Sequence, residues 1–141
     1  MTSISVSTSQ GQIPLAINSP DILLVDDEAM VRENLSAYLD DEGFTVTAVD
    51  SAEEGIRWLQ DRQGNSSPLS AIVDMRLPGM SGEEFIRSAL QICPELRCVI
   101  HTGSLEYVLP EDLLAQGMTA DDILHKPIAD LSVLAARLRE G

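Results

Sequence analysis

Five side chains in this sequence could do chemistry together: the carboxylates of Asp26, Asp27 and Asp74, the hydroxyl of Thr102 and the ammonium of Lys126. Each stands at, or just past, the end of a short apolar run. ILLV precedes Asp26 and Asp27, LSAIV precedes Asp74, LRCVI precedes His101 and Thr102, and IL precedes His125 and Lys126. Two unit charges about 4 Å apart repel by about 4 kcal/mol at an effective dielectric of 20. Three carboxylates in one cleft therefore raise one another's pKa unless a cation intervenes. A hard divalent ion relieves this, and Mg²⁺ suits a site with few protein ligands and several waters. Asp27 has the alternative of capping the helix that follows, but capping accounts for one acid and not for a pair plus a third from another strand.

Lys126 is the only lysine, the eight other basic residues being arginine. An ammonium is a mobile point charge that pairs with a carboxylate or a phosphoryl oxygen. Thr102 adds a hydroxyl donor, and Gly103 beside it leaves room for an oxyanion. A pocket with a metal on one side and lysine plus hydroxyl on the other stabilises the spread charge of phosphoryl transfer. The plainer alternatives are an ordinary salt-bridging lysine and a threonine that merely ends a strand.

The elements that must position these groups follow from hydrophobic period. Ile22–Val25 is a continuous aliphatic run, as in a strand buried on both faces. A helix follows over Ala29–Glu42, with Val31, Leu35, Tyr38 and Leu39 on one stripe and Gly43 to stop it. Phe44–Val49 alternates and is β-branched, as in a second strand. Ser51 with Glu54 forms a capping-box pattern opening a helix that carries Ala52, Ile56 and Leu59 inward and frays across Gln63–Ser67. Leu69–Val73 is a third strand. Ser81 with Glu84 caps a helix bearing Phe85, Ile86, Ala89 and Leu90, which Pro94 ends. Leu96–Ile100 is a fourth strand, and Pro110–Gln116 a short helix with Pro in its first turn and Gly117 past its end. Ile123–Leu124 sits in a short fifth strand, and Asp130 caps a last helix with Leu131, Leu134 and Leu138 on one face. Five strands alternating with five helices imply an α/β fold: a doubly wound five-stranded parallel sheet, helices on both faces. Ligands in such sheets bind outside the carboxyl ends of the strands, where the five groups stand.

Composition narrows the remaining classes. The 141 residues fit one domain over 21–141 behind a Ser-, Thr- and Gln-rich tail, 1–20, read as a mobile tail, cloning remnant or linker. The tail lacks the basic start and apolar stretch of a secretory signal. No run approaches the roughly 18 apolar residues of a membrane span. A formal charge of −14 argues against direct nucleic-acid binding by this domain. Cys93 and Cys98 are too few and wrongly spaced for a metal knuckle or redox pair, and fit small apolar side chains in a reducing cytoplasm.

The segments ILLVDDE at 22–28, DMRLPGMSGEEF at 74–85, HTGS at 101–104 and DDILHKP at 121–127 together resemble the response-regulator receiver domain of bacterial two-component systems, over residues 21–141. The resemblance implies a flavodoxin-like sheet in strand order 2-1-3-4-5 and a signalling switch rather than an enzyme, limited to self-catalysed phosphoryl uptake and slow autodephosphorylation. Asp74 would accept phosphoryl from a histidine kinase, a phosphotransfer protein or a small acyl phosphate. Asp27 and Asp74 would ligate Mg²⁺ with the backbone carbonyl of Arg76, Asp26 acting largely through water, and Thr102 and Lys126 would bind the phosphoryl oxygens. The Lys126–Pro127 bond would be cis. A downstream effector or output domain would read the state from the surface around the fourth helix, fifth strand and fifth helix, in the cytoplasm and with no membrane contact.

The chain departs from that pattern in places. Ile123 stands where the family has an aromatic residue that reports phosphorylation, and Tyr107 is the nearest aromatic. Arg76, two past Asp74, either reaches over a phosphoryl group and tunes its lifetime or is a solvated loop arginine, while Ser104 leaves that approach open. Gly117–Asp121 is longer than the usual tight turn. His101 and His125 read as strand-end packing. Two rival readings are a receiver fold that no longer phosphorylates and serves as an interaction module, and an aspartate-nucleophile phosphohydrolase. The latter uses a D-x-D pattern on its first strand, where this chain has adjacent acids.

Overall fold

The computed structural model describes residues 21–62 and 69–140. The N-terminal tail and the polar stretch expected to fray the second helix lie outside the described residues. The strands are β1 (Asp21–Val25), β2 (Thr45–Val49), β3 (Leu69–Asp74), β4 (Arg97–Thr102) and β5 (Ile123–His125). The helices are α1 (Ala29–Asp41), α2 (Ala52–Asp61), α3 (Gly82–Ile92), α4 (Glu111–Ala115) and α5 (Leu131–Arg139). All strand pairs are parallel, in the order β2-β1-β3-β4-β5. This is the doubly wound plan expected from the alternation of periods.

Burial explains why the central strands read as unbroken apolar runs. Every residue of β3 is buried, as are the last four of β1 and the last five of β4. Successive side chains point to opposite faces, which splits the core in two. Leu23, Val25, Ala71, Val73, Cys98 and Ile100 pack with Leu59, Phe85, Ile86 and Leu113 from α2, α3 and α4. Ile22, Leu24, Ile72 and Val99 pack with Leu35, Leu39, Leu134 and Leu138 from α1 and α5. The alternation read in β2 is weak, with Thr45 and Ala48 exposed and the residues between them half-buried, because an edge strand is covered less completely.

The helix caps show where local chemistry decides. Ser81 and Glu84 form the full reciprocal box at α3. At α2 only half of the expected box forms. Ser51 accepts the Glu54 amide at 3.2 Å, while the Glu54 carboxylate turns instead to Arg57 at 2.6 Å. No side chain caps α1, whose N-cap is Glu28, so Asp27 does not serve as a helix cap. Pro110 is itself the N-cap of α4 rather than its first helical residue. The extra length after Gly117 is a 3₁₀ turn, Ala120–Asp122, boxed by Thr119 and Asp122. No helix among the described residues is long and apolar enough to cross a membrane.

Register brings the strand ends flush. Val25 pairs with Val73, Asp74 with His101, and Thr102 with His125. Asp26, Asp74, Thr102 and Lys126 therefore leave the sheet along one edge, at neighbouring strands.

Candidate functional site

The carboxylates at this edge are taken out of water. Asp26 is 1% exposed and Asp74 5%. Their position is set by backbone bonds: the Asp26 amide donates to the Val49 carbonyl at 3.2 Å, and the Arg76 amide donates to Asp74 Oδ1 at 3.2 Å. Asp26 Oδ1 accepts the Glu28 amide at 2.9 Å. This side-chain-to-backbone turn leaves the Asp27 side chain exposed and brings Glu28 back over the edge. Carboxylate oxygens of Asp26, Glu28 and Asp74 accordingly lie within 4.8 Å of one another. Glu28 was not singled out from sequence. The signal available was the third acid of the run Asp26-Asp27-Glu28, but which of the last two joins the buried pair depends on that local turn.

Lys126 closes the cluster. The bond from its amide to the Thr102 carbonyl at 2.8 Å carries the β4–β5 pairing one residue past the strand, and a cis peptide joins it to Pro127. Its ammonium lies 3.1 Å from Glu28 Oε1, 3.2 Å from Asp26 Oδ2 and 3.4 Å from Asp74 Oδ2. Burial works against the charge, but Glu28, Asp26 and Asp74 outweigh it and hold the lysine pKa above its ordinary value. The balance runs the other way at Asp74. Burial, joined by the charge of Asp26, raises its pKa against the opposing Arg76 amide and Lys126. One lysine thus does not neutralise the site.

A divalent cation fits what remains. Asp26 Oδ2 is buried with no hydrogen-bond donor among the described residues, the ammonium at 3.2 Å being poorly aligned to it. Hard oxygen donors from three carboxylates, one with an unmet lone pair, match the ligand preference of Mg²⁺ or Ca²⁺.

Thr102 is 4% exposed, and its hydroxyl oxygen accepts the Ser104 amide at 3.1 Å. The room expected beside it is present, though not because of a missing side chain: a Cβ built on Gly103 meets nothing within 4 Å. Arg76 is exposed and forms no ion pair among the described residues. His125 is exposed, whereas His101 is buried, with neither ring nitrogen partnered among the described residues. Burial, and then the Lys126 charge, push the His101 pKa down to about 4 against the opposing Glu28. A histidine depressed in the fold is charged in the unfolded chain first. His101 therefore contributes stability above pH 6.5 that is lost as pH falls toward about 4. We predict that His101→Leu flattens the stability–pH profile in that window by up to about 1.4 kcal/mol per pH unit. Urea titrations in EDTA check this, and parallel profiles for the two proteins would contradict it.

Ile123 is half-buried against the core beneath α2, α3 and α4, beside Ile100. Tyr107 packs on the same core, and its hydroxyl donates to Glu83 Oε2 at 2.5 Å.

The chain is similar in sequence and in fold to known proteins. The chain is 31% identical over 110 residues to the transcriptional regulatory protein AruR of Pseudomonas aeruginosa, covering 77% of this chain and 44% of that protein. It is 32% identical over 125 residues to the C4-dicarboxylate transport transcriptional regulatory protein DctD of Rhizobium meliloti, covering 86% of this chain and 25% of that protein. The chain thus spans less than half the length of either relative. A crystal structure of a response regulator receiver domain protein from Clostridium thermocellum superposes with a TM-score of 0.70 at 29% identity, over 86% of this chain and 92% of that one. Residues 22–139 match the family described as the response regulator receiver domain. With its sheet order and the acids, threonine and lysine gathered at one edge, the chain belongs to the response regulator receiver domain family.

Proposed function

We propose that Asp74 is the phosphoacceptor of a two-component signalling switch, charged by a histidine kinase or a phosphotransfer protein and read by a downstream effector or output domain. The observation that carries this reading is the placement of one ammonium within 3.4 Å of both buried carboxylates, Asp26 and Asp74, at the strand ends. An Asp74 carboxylate oxygen would attack phosphorus as the bond from phosphorus to the donor's imidazole nitrogen or acyl oxygen breaks, leaving an acyl phosphate on the protein. Lys126 and the Thr102 hydroxyl would take up charge on the phosphoryl oxygens of the product.

The proposed magnesium ligands are Asp26, Asp27, Asp74 and the Arg76 backbone carbonyl, with Glu28, whose carboxylate clusters with those of Asp26 and Asp74, as a further acid on the open side. Bound there, Mg²⁺ supplies electrostatic stabilisation of charge on the transferring group. The two cysteines are unpaired, in keeping with a cytoplasmic location.

A non-transferable phosphoryl mimic tests the reading. Beryllofluoride with Mg²⁺ is expected to raise the thermal midpoint of the wild-type protein and to leave Asp74→Asn unmoved. Equal responses in the two proteins would refute it.

A further inference from the structure

We propose that α3 and the stretch running from the end of β4 into α4 form a polar latch, Tyr107 on Glu83 and Arg87 on Asp112, that holds Thr102 in its resting place and must loosen for phosphorylation. The proposal rests on Asp74 being the phosphoacceptor and adds to it how this chain gates its own site without an aromatic residue at position 123.

The latch starts from the phosphoacceptor's own backbone. The Gly82 amide donates to the Met75 carbonyl at 3.3 Å, and a Cβ at Gly82 would stand 2.4 Å from the Asp74 carbonyl oxygen. The first turn of α3 is therefore in contact with the strand end that carries Asp74, with no slack between them. Glu83 is the next residue, and its carboxylate accepts the Tyr107 hydroxyl. One turn on, Arg87 clasps Asp112 with two bonds, Nε to Oδ2 at 2.7 Å and Nη2 to Oδ1 at 3.1 Å.

Both partners lie on the stretch that begins at Thr102. Within it the Ser104 amide is bound to the Thr102 hydroxyl oxygen, and the Tyr107 amide reaches the Ser104 carbonyl at 3.5 Å. Movement of Thr102 toward a group on Asp74 drags Ser104, and with it Tyr107, against the bond to Glu83. The two halves of the latch differ in strength. Arg87 and Asp112 are each about half exposed, where ion pairs contribute little. The Tyr107–Glu83 bond is charge-assisted and partly buried, which makes it the stronger restraint. Ile123 packs on the same core cluster but carries no hydroxyl and cannot supply such a restraint.

Tyr107→Phe keeps the ring and removes only the donor. In the unphosphorylated, metal-free protein it is expected to speed amide exchange over residues 103–109 by about fivefold, the loss of one partly exposed charge-assisted bond, with α1 unchanged. With Mg²⁺ and acetyl phosphate, uptake is expected to quicken by a similar factor, and Glu83→Gln to fall between the two proteins. Unchanged exchange would show that there is no latch. Faster exchange with unchanged uptake would show that the latch does not gate Thr102, and would overturn the proposal equally. Absence of any adduct on the wild-type protein would instead defeat the reading of Asp74, and the gate with it, while the exchange comparison still reports on the bond.

Discussion

Lys126→Met is expected to lower the stability of the metal-free protein at neutral pH by about 3 kcal/mol, the low end for removing one partner of a buried ion pair. The low end applies because the lysine side chain is 19% exposed while Asp26 and Asp74 are almost wholly covered. The loss is not that of a surface salt bridge. Glu28, the third partner, is largely exposed, and Glu28→Gln is expected to change stability by less than about 1 kcal/mol. What the methionine leaves behind is two carboxylates facing each other in a site where burial already raises the pKa of Asp74. Two remedies are open to the variant: protonation, or a cation from solution. Urea unfolding with and without Mg²⁺ distinguishes this account from simple loss of packing. The account predicts that Mg²⁺ stabilises the variant more than the wild type, because ligand binding to the folded state adds RT ln(1 + [L]/Kd) and the competing ammonium is gone. Equal stabilisation of the two proteins would show that Lys126 and the cation do not share the site.

Gly82→Ala is expected to reverse the usual sign of such a change. In a helix interior, propensity alone favours alanine over glycine by about 0.5–1 kcal/mol, and Gly82 is the first residue of α3. Here the added methyl would stand 2.4 Å from the Asp74 carbonyl oxygen and 2.9 Å from Met75 Cα. Both are backbone atoms of the strand end and loop that carry the site, so neither yields as a side chain does. Overpacking of this kind costs about 1–3 kcal/mol, and relief requires α3 to back away from Asp74. Thermal unfolding is expected to show net destabilisation. A variant at least as stable as wild type would mean that α3 does not bear on Asp74 as closely as these distances state.

Much of this was legible in the chain because one physical rule governed it. Strands buried on both faces must be apolar throughout, so ILLV, LSAIV and LRCVI announced themselves, and the polar residues ending them announced the edge. Asp130, Ser81 with Glu84, and Gly117 read correctly because a cap or stop is a local event. The less legible features turn on where a side chain goes after the backbone is fixed. Glu54 matches the capping-box pattern as well as Glu84 does, yet bonds to Arg57 because that guanidinium is one turn away on the same face. Glu28 joins the cluster through a turn made by Asp26. The Tyr107–Glu83 and Arg87–Asp112 pairs join residues 24 and 25 positions apart, which no local period reveals. His101 looked like ordinary packing, and only the closed sheet shows a buried imidazole with neither nitrogen partnered.

The central claim is that Asp74 takes a phosphoryl group in a reaction that needs a divalent cation, and intact mass after incubation with acetyl phosphate tests it most directly. The account predicts one added phosphoryl group on the wild-type protein with Mg²⁺, and none on Asp74→Asn or with the metal chelated. A wild-type mass unchanged under all conditions, or an adduct that survives Asp74→Asn, would contradict it.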